Sequence, residues 1–233
     1  MSESRLLLTS WLMALALVGA TQAGPQMAVD ADRFDFGYAP LGAVVSHTFW
    51  IKSIGDSDLV INEVKPGCGC TKAPLEKNTI KPGDSARLEI IFTSKNYRDL
   101  VTKKIKIKSN ASQQDRELTI MADLISDPAG TSPVVFTPME LDISPLSARP
   151  RTEMPFVISN KTNTWLQLRL LEWPRELLEL NLPDSIAPGE EVGALLRLTP
   201  RGQQQAFEKS VTFEFDDLAR SRFTLPIKRA LKN

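Results

Sequence analysis

The chain has 233 residues, and its 28 Lys plus Arg are balanced by 28 Asp plus Glu, so it lacks the basic excess that nucleic-acid binding uses. Apolar residues make up 42%, enough for packed cores, and 16 prolines with 12 glycines favour many turns over long helices. One histidine and two cysteines exclude the usual histidine-based hydrolase and zinc-enzyme sites.

Met1 to Ala23 reads as a secretory signal peptide. Arg5 makes the start weakly positive, Leu6 to Ala20 is mostly apolar, and Thr21-Gln22-Ala23 offers a cleavage site, with Val18-Gly19-Ala20 as the alternative. The apolar run is shorter than the ~20 residues that span a bilayer. No cysteine stands at the cleavage site for a lipid anchor, and no second long apolar run follows. The sequence therefore predicts export, to the periplasm or outside the cell, with no stable membrane insertion after cleavage. The remainder is long enough for two domains of about 100 residues each.

The first predicted domain spans residues 25–126. Its clearest pattern is Val45, His47, Phe49 and Ile51 on one parity, with Ser46, Thr48, Trp50 and Lys52 on the other. Period two marks a half-buried strand. Gly55-Asp56-Ser57 is a turn, and Leu59-Val60-Ile61 begins a second strand that runs toward Val64. Lys81-Pro82-Gly83-Asp84 is another turn, leading to Ala86, Leu88, Ile90 and Phe92 on one face. Val101, Lys103, Ile105 and Ile107 share a face of the next strand, while Lys104, Lys106 and Lys108 line the other. A lysine row of this kind discourages edge-to-edge pairing. Leu118 to Ala122 closes the domain. Short strands at this spacing predict an antiparallel β-sandwich.

Both cysteines fall in Val64-Lys65-Pro66-Gly67-Cys68-Gly69-Cys70-Thr71, a run whose glycines and proline predict a tight turn. Three readings stay open. Cys68 and Cys70 can form a disulfide in a small ring, favoured by an oxidising compartment. They can hold a soft metal, Cu(I) or Zn(II), for which His47 is the candidate third ligand. They can also be small apolar residues of a structural turn. His47 itself sits on the core parity, which a hydrogen-bonded core histidine explains as well as a ligand does.

Asp127 to Pro133 has linker composition. The second predicted domain, 134–233, repeats the first at an offset of 105 to 107 residues. Pro40-Leu41 corresponds to Pro145-Leu146, Phe49 to Ile51 to Phe156 to Ile158, and Ile80-Lys81-Pro82-Gly83-Asp84 to Ile186-Ala187-Pro188-Gly189-Glu190. In place of the cysteine turn stands Leu171-Glu172-Trp173-Pro174-Arg175, so any cysteine chemistry belongs to the first domain. Trp173 is expected at the edge of the second core.

Phe34-Asp35-Phe36-Gly37, His47-Thr48-Phe49, Gly55-Asp56-Ser57, Leu59-Val60-Ile61, Cys68-Gly69-Cys70-Thr71 and Ile80-Lys81-Pro82-Gly83 together resemble the bacterial family known as domain of unknown function 1573. The resemblance covers roughly Arg33 to Thr93. It implies an immunoglobulin-like sandwich of the Hydin type, similar to major sperm protein and pilus-chaperone folds, in an exported protein without an established activity. His47, Cys68 and Cys70 match the family's distinguishing polar positions. One departure is local: family members carry an asparagine before the glycine turn, where this chain has Ser53-Ile54-Gly55. The expected architecture is all-β, two tandem immunoglobulin-like antiparallel β-sandwich domains after a signal peptide.

No Gly-x-Ser-x-Gly elbow and no phosphate-cradling loop occurs, and the carboxylates are scattered. The leading expectation is a non-enzymatic binding or scaffold module for an exported or envelope protein, offering strand edges and loops. Soft-metal handling or thiol redox work at the cysteine turn is the alternative, with no firmly implied cofactor. A pilus-type chaperone fits by analogy of fold alone.

Overall fold

The computed structural model describes residues 24–112, 115–128, 132–145 and 150–231. The expected signal peptide lies outside the described residues, as do positions 129–131 of the expected linker.

The described chain is almost wholly β. Its first half contributes β1 (Met27–Val29), β2 (Arg33–Pro40), β3 (Val44–Ser53), β4 (Leu59–Pro66), β5 (Thr71–Lys72), β6 (Thr79–Ile80), β7 (Ser85–Thr93), β8 (Asp99–Ser109) and β9 (Asp115–Ile125). The second contributes β10 (Val134–Thr137), β11 (Leu141–Asp142), β12 (Glu153–Asn160), β13 (Leu166–Glu172), β14 (Leu178–Asn181), β15 (Ser185–Ile186), β16 (Glu191–Leu198), one helical turn α1 (Pro200–Gln203), β17 (Phe207–Phe215) and β18 (Arg222–Arg229). Alternation drives these strands. In β3, Val45, His47, Phe49 and Ile51 are buried while Trp50 and Lys52 are exposed. In β8, Val101, Ile105 and Ile107 point inward and Lys104, Lys106 and Lys108 outward.

The first half has the sheet orders β1-β3-β7-β5 and β2-β9-β8-β4-β6; the second has β10-β12-β16-β14 and β18-β17-β13-β15, with β11 beside β18. Replacing each strand of the first half by the one nine places later reproduces the second half. Even the parallel pairs correspond, β2 with β9 and β11 with β18. Each half encloses its own core. Phe36, Phe49 and Phe92 are fully buried in the first; Phe136 stacks among Phe156, Phe213 and Phe223 in the second. Each such side chain contributes roughly 1.5–3 kcal/mol of burial.

The halves are joined through β2 and β18. The outer edge of β18 pairs with β11 at Ile227 and Lys228, and with β2 at Phe223, which lies opposite Tyr38. The two larger sheets thereby become one ten-stranded sheet. Thr224 Oγ1 donates to the Phe36 carbonyl at 2.7 Å, Arg222 Nη1 donates to the Asp35 carbonyl at 3.1 Å, and Tyr38 packs against the second core. Gly37 makes the approach feasible. Its φ of +64° suits glycine, and a Cβ there would stand 2.3 Å from the Arg222 carbonyl oxygen. The β2–β9 register shifts between Asp35 and Tyr38, and this irregularity turns the strand toward β18.

The turn after β3 also differs between halves. Asn160, 0% exposed at the end of β12, donates to the carbonyls of Thr164, Ile186 and Ala187 and accepts from Thr162 N. Ser53 ends β3 in the same way, with its N–H on Asp84 O as that of Asn160 is on Glu190 O. Its buried hydroxyl has no hydrogen-bond partner. The second half thus has an asparagine tie that the first lacks.

Two outcomes follow from this geometry. Gly37→Ala should lower stability by about 2–3 kcal/mol and split a single calorimetric transition into two; one unshifted transition would contradict the seam. Ser53→Asn should raise urea resistance by about 1–2 kcal/mol through bonds to the facing turn, and a loss of stability would show that the first half cannot accept the tie.

Candidate functional site

The cysteine turn is a corner between sheets. β4 belongs to the large sheet and β5 to the smaller one, so the chain crosses over at Gly67–Cys70. Backbone bonds fix both sides: Gly67 N to Lys104 O at 2.9 Å, Thr71 N to Cys68 O at 3.3 Å, and Thr93 N to Cys70 O at 2.9 Å. Cys68 and Cys70 are joined as a disulfide, with their Cα atoms 5.3 Å apart. Both are partly exposed.

Hydroxyl groups surround the sulfurs. Thr71 Oγ1 lies 3.6 Å from each Sγ, and the Tyr97 hydroxyl donates to Cys70 Sγ at 3.4 Å. Lys103 Nζ sits 3.5 Å from the Tyr97 ring centroid, and that ring packs on Phe92. Sequence reasoning did not assign Tyr97 or Lys103 to this site. Lys103 carried a signal, a cation on the inward parity of β8. Tyr97, 27 residues from Cys70, carried none.

His47 is elsewhere. Its ring is 8% exposed, stacks on Phe34 at 3.6 Å and meets Phe49 edge-on at 4.5 Å. Nδ1 lies 3.2 Å from Glu172 Oε2, within ion-pair range but not aligned for a hydrogen bond. The expected set of His47 with Cys68 and Cys70 is therefore not assembled. β7 stands between β3 and β5, and β4 lies in the other sheet. Among the described residues no group of three or more His, Cys, Asp and Glu gathers to hold a metal. The two sulfurs alone are too few for a closed zinc site.

What His47 borders is the seam. The N–H groups of Ser46, Thr48 and Trp50 point away from β7, beyond the reach of short β1. Ser210 Oγ takes that of Ser46 at 2.9 Å and returns a bond to its carbonyl, Glu172 Oε1 takes that of Thr48 at 3.3 Å, and Asp30 takes that of Trp50 at 2.9 Å. Two side chains of the second half, Ser210 and Glu172, thus cap the open edge of the first together with its own Asp30. Lys209 pairs with Glu89 across the same seam. Beneath it, Glu214, its side chain 5% exposed, accepts from Arg222 Nε at 3.0 Å and also pairs with Arg169. Burial pushes its carboxyl up, but the Arg169 and Arg222 hydrogen bonds outweigh this and hold it below the ordinary 4.5.

Above the seam opens a cleft of about 950 Å³. One wall is the outer face of β3 and β7, including Thr48, Trp50, Arg87 and Glu89; the other is the Trp173–Leu177 corner and the start of β17. Trp50 is 40% exposed. Trp173 packs against the second core, as a core-edge residue does, while Arg175 covers its ring at 4.1 Å. The corner that carries cysteines in the first half thus becomes a cleft wall in the second.

Residues 27–124 match the family described as "Protein of unknown function (DUF1573)". No curated protein matches the sequence. Among solved structures, a protein of unknown function from Porphyromonas gingivalis is 13% identical, with 88% of this chain and 99% of that chain covered and a TM-score of 0.37. The CupB2 chaperone of Pseudomonas aeruginosa is 11% identical over 85% and 98% of the two chains, TM-score 0.32. The ASH / PapD-like domain 7 of human CEP192 is 7% identical over 53% and 99%, TM-score 0.38. Likenesses this slight transfer no function.

A carboxyl held below 4.5 stabilises the fold above that pH and loses its contribution as the pH falls through the lowered value. Urea denaturation of Glu214→Gln should show reduced stability at pH 7, with the gap to the parent narrowing below pH 4.5. A gap independent of pH would contradict the buried ionised carboxylate.

Proposed function

We propose, for a chain whose residues 27–124 form a domain of the family described as protein of unknown function (DUF1573), that it is an exported, non-catalytic binding module of two tandem immunoglobulin-like lobes. Its partner is a polypeptide of the periplasm, envelope or exterior, seated in the cleft between the lobes. The cleft carries the reading: it holds about 950 Å³, is walled by both lobes and is lined by the partly exposed Trp50 and by Trp173. Aromatic side chains of this kind anchor polypeptide partners.

Strand addition at a sheet edge is the weaker form of this idea. The terminal strands β1, β5, β6, β10, β14 and β15 run only two to four residues, and the exposed part of β3 is capped by Glu172 and Ser210. A partner strand would find little ladder to extend. Export is supported by the apolar run Leu6–Ala20 with small residues after it, and by paired cysteines that suit an oxidising compartment.

Selection of displayed random peptides against the protein tests the cleft. Bound peptides should lose about tenfold in affinity on Trp50→Ala and none on Trp165→Ala, whose ring is exposed outside the cleft. Peptides indifferent to Trp50 would remove the cleft from the proposal.

A further inference from the structure

We propose that the Cys68–Cys70 disulfide exchanges with the thiols of an exported polypeptide, with Cys68 as the sulfur attacked and Cys70 as the leaving thiolate. The inference stands on the corner between β4 and β5 and does not depend on the cleft.

A purely structural role explains the bond poorly. A cross-link stabilises more the longer the loop it closes, growing with the logarithm of that length, and this one closes a very short loop, with a single residue between the cysteines. The corner is already held by the backbone bonds of Gly67, Thr71 and Thr93. Removing the disulfide would free little chain.

The surroundings of the two sulfurs are unequal. Cys68 Sγ meets one hydroxyl, that of Thr71 at 3.6 Å. Cys70 Sγ meets two, Thr71 at 3.6 Å and Tyr97 at 3.4 Å. Lys103, 3.5 Å from the centre of the Tyr97 ring, draws electron density from the phenol and strengthens its O–H as a donor. Negative charge is therefore better held on Cys70 than on Cys68, and the sulfur that better bears charge leaves faster. Access has the same polarity. Exposed Gly67 and Gly69 flank Cys68 and put no side chain beside it, whereas Cys70 is backed by Tyr97.

The step balances without an outside oxidant. A substrate thiolate attacks Cys68 Sγ, a mixed disulfide forms, the Cys68–Cys70 bond breaks, and its electron pair goes to Cys70. A second thiolate of the same polypeptide then attacks the substrate sulfur of the mixed disulfide and releases Cys68 as thiolate. The substrate's two thiols are oxidised to a disulfide, and the protein's disulfide is reduced to a dithiol. The two protons lost by the substrate end on the two cysteines or in solvent.

The test uses the full chain, prepared without reductant and handled anaerobically, with reduced glutathione and a synthetic two-cysteine peptide as thiol donors. Acid-quenched samples are alkylated and mapped by mass. Glutathione should be found on Cys68 with Cys70 alkylated, and one peptide disulfide should form for each protein disulfide lost. Tyr97→Phe keeps the ring that packs on Phe92. It should move the pH profile of Cys70 alkylation upward by about one unit and slow exchange about threefold, and Lys103→Gln should move that profile the same way. A disulfide that resists millimolar thiol, glutathione found mainly on Cys70, or a profile unmoved by Tyr97→Phe would each overturn the proposal.

Discussion

The parallel pairing of β2 with β18 decides what kind of object this chain is. Without it there are two small sandwiches, each with a core of its own. With it, the larger sheets merge, and Tyr38 of the first half packs against the core of the second. The join depends on backbone approaching backbone. Gly37 offers no side chain, so the carbonyl of Arg222 can lie where a Cβ would stand. Arg222 then serves both directions, donating to the Asp35 carbonyl across the seam and to Glu214 within its own half.

Once the halves are docked, polar chemistry follows from geometry. The open edge of β3 would expose unpaired N–H groups if the first half stood alone. Glu172 and Ser210 meet those groups from the other half. The cleft is the space left where the sheets diverge above the seam, and its walls inherit their residues from this arrangement. The cysteine corner lies on the first half alone. It shares the same architectural position as the Trp173 corner, and the two carry different side chains.

Much of the fold was legible locally. The alternation of Val45, His47, Phe49 and Ile51, the outward lysines of β8 and the Pro-Gly turns all obey rules that act over a few residues. The tandem correspondence was visible because the same strand order imposes similar spacing twice. The seam was not legible. Ser210, Thr212 and Glu214 alternate with Val211, Phe213 and Phe215 in the manner of a solvent-facing row, yet all are buried. Ser210 is covered by a strand 164 residues away, as the Ser46–Ser210 bonds show, while Thr212 bonds Thr224 and Glu214 is held by Arg169 and Arg222. His47 was read correctly as core-facing, but its partner Glu172 was out of reach of any local rule. The cysteine turn was found from composition, while the Tyr97 hydroxyl that distinguishes its two sulfurs comes from a loop brought in after β7.

Hydrogen exchange resolved by residue tests the seam most directly. If the halves form one unit through β2 and β18, the amides of Ser46 and Thr48, whose acceptors Ser210 and Glu172 lie in the second half, should be protected comparably to those of β8 and β9 in the first core. Exchange at Ser46 and Thr48 that is orders of magnitude faster, with both cores still protected, would mean that the halves part in solution, and the single ten-stranded sheet would have to be abandoned.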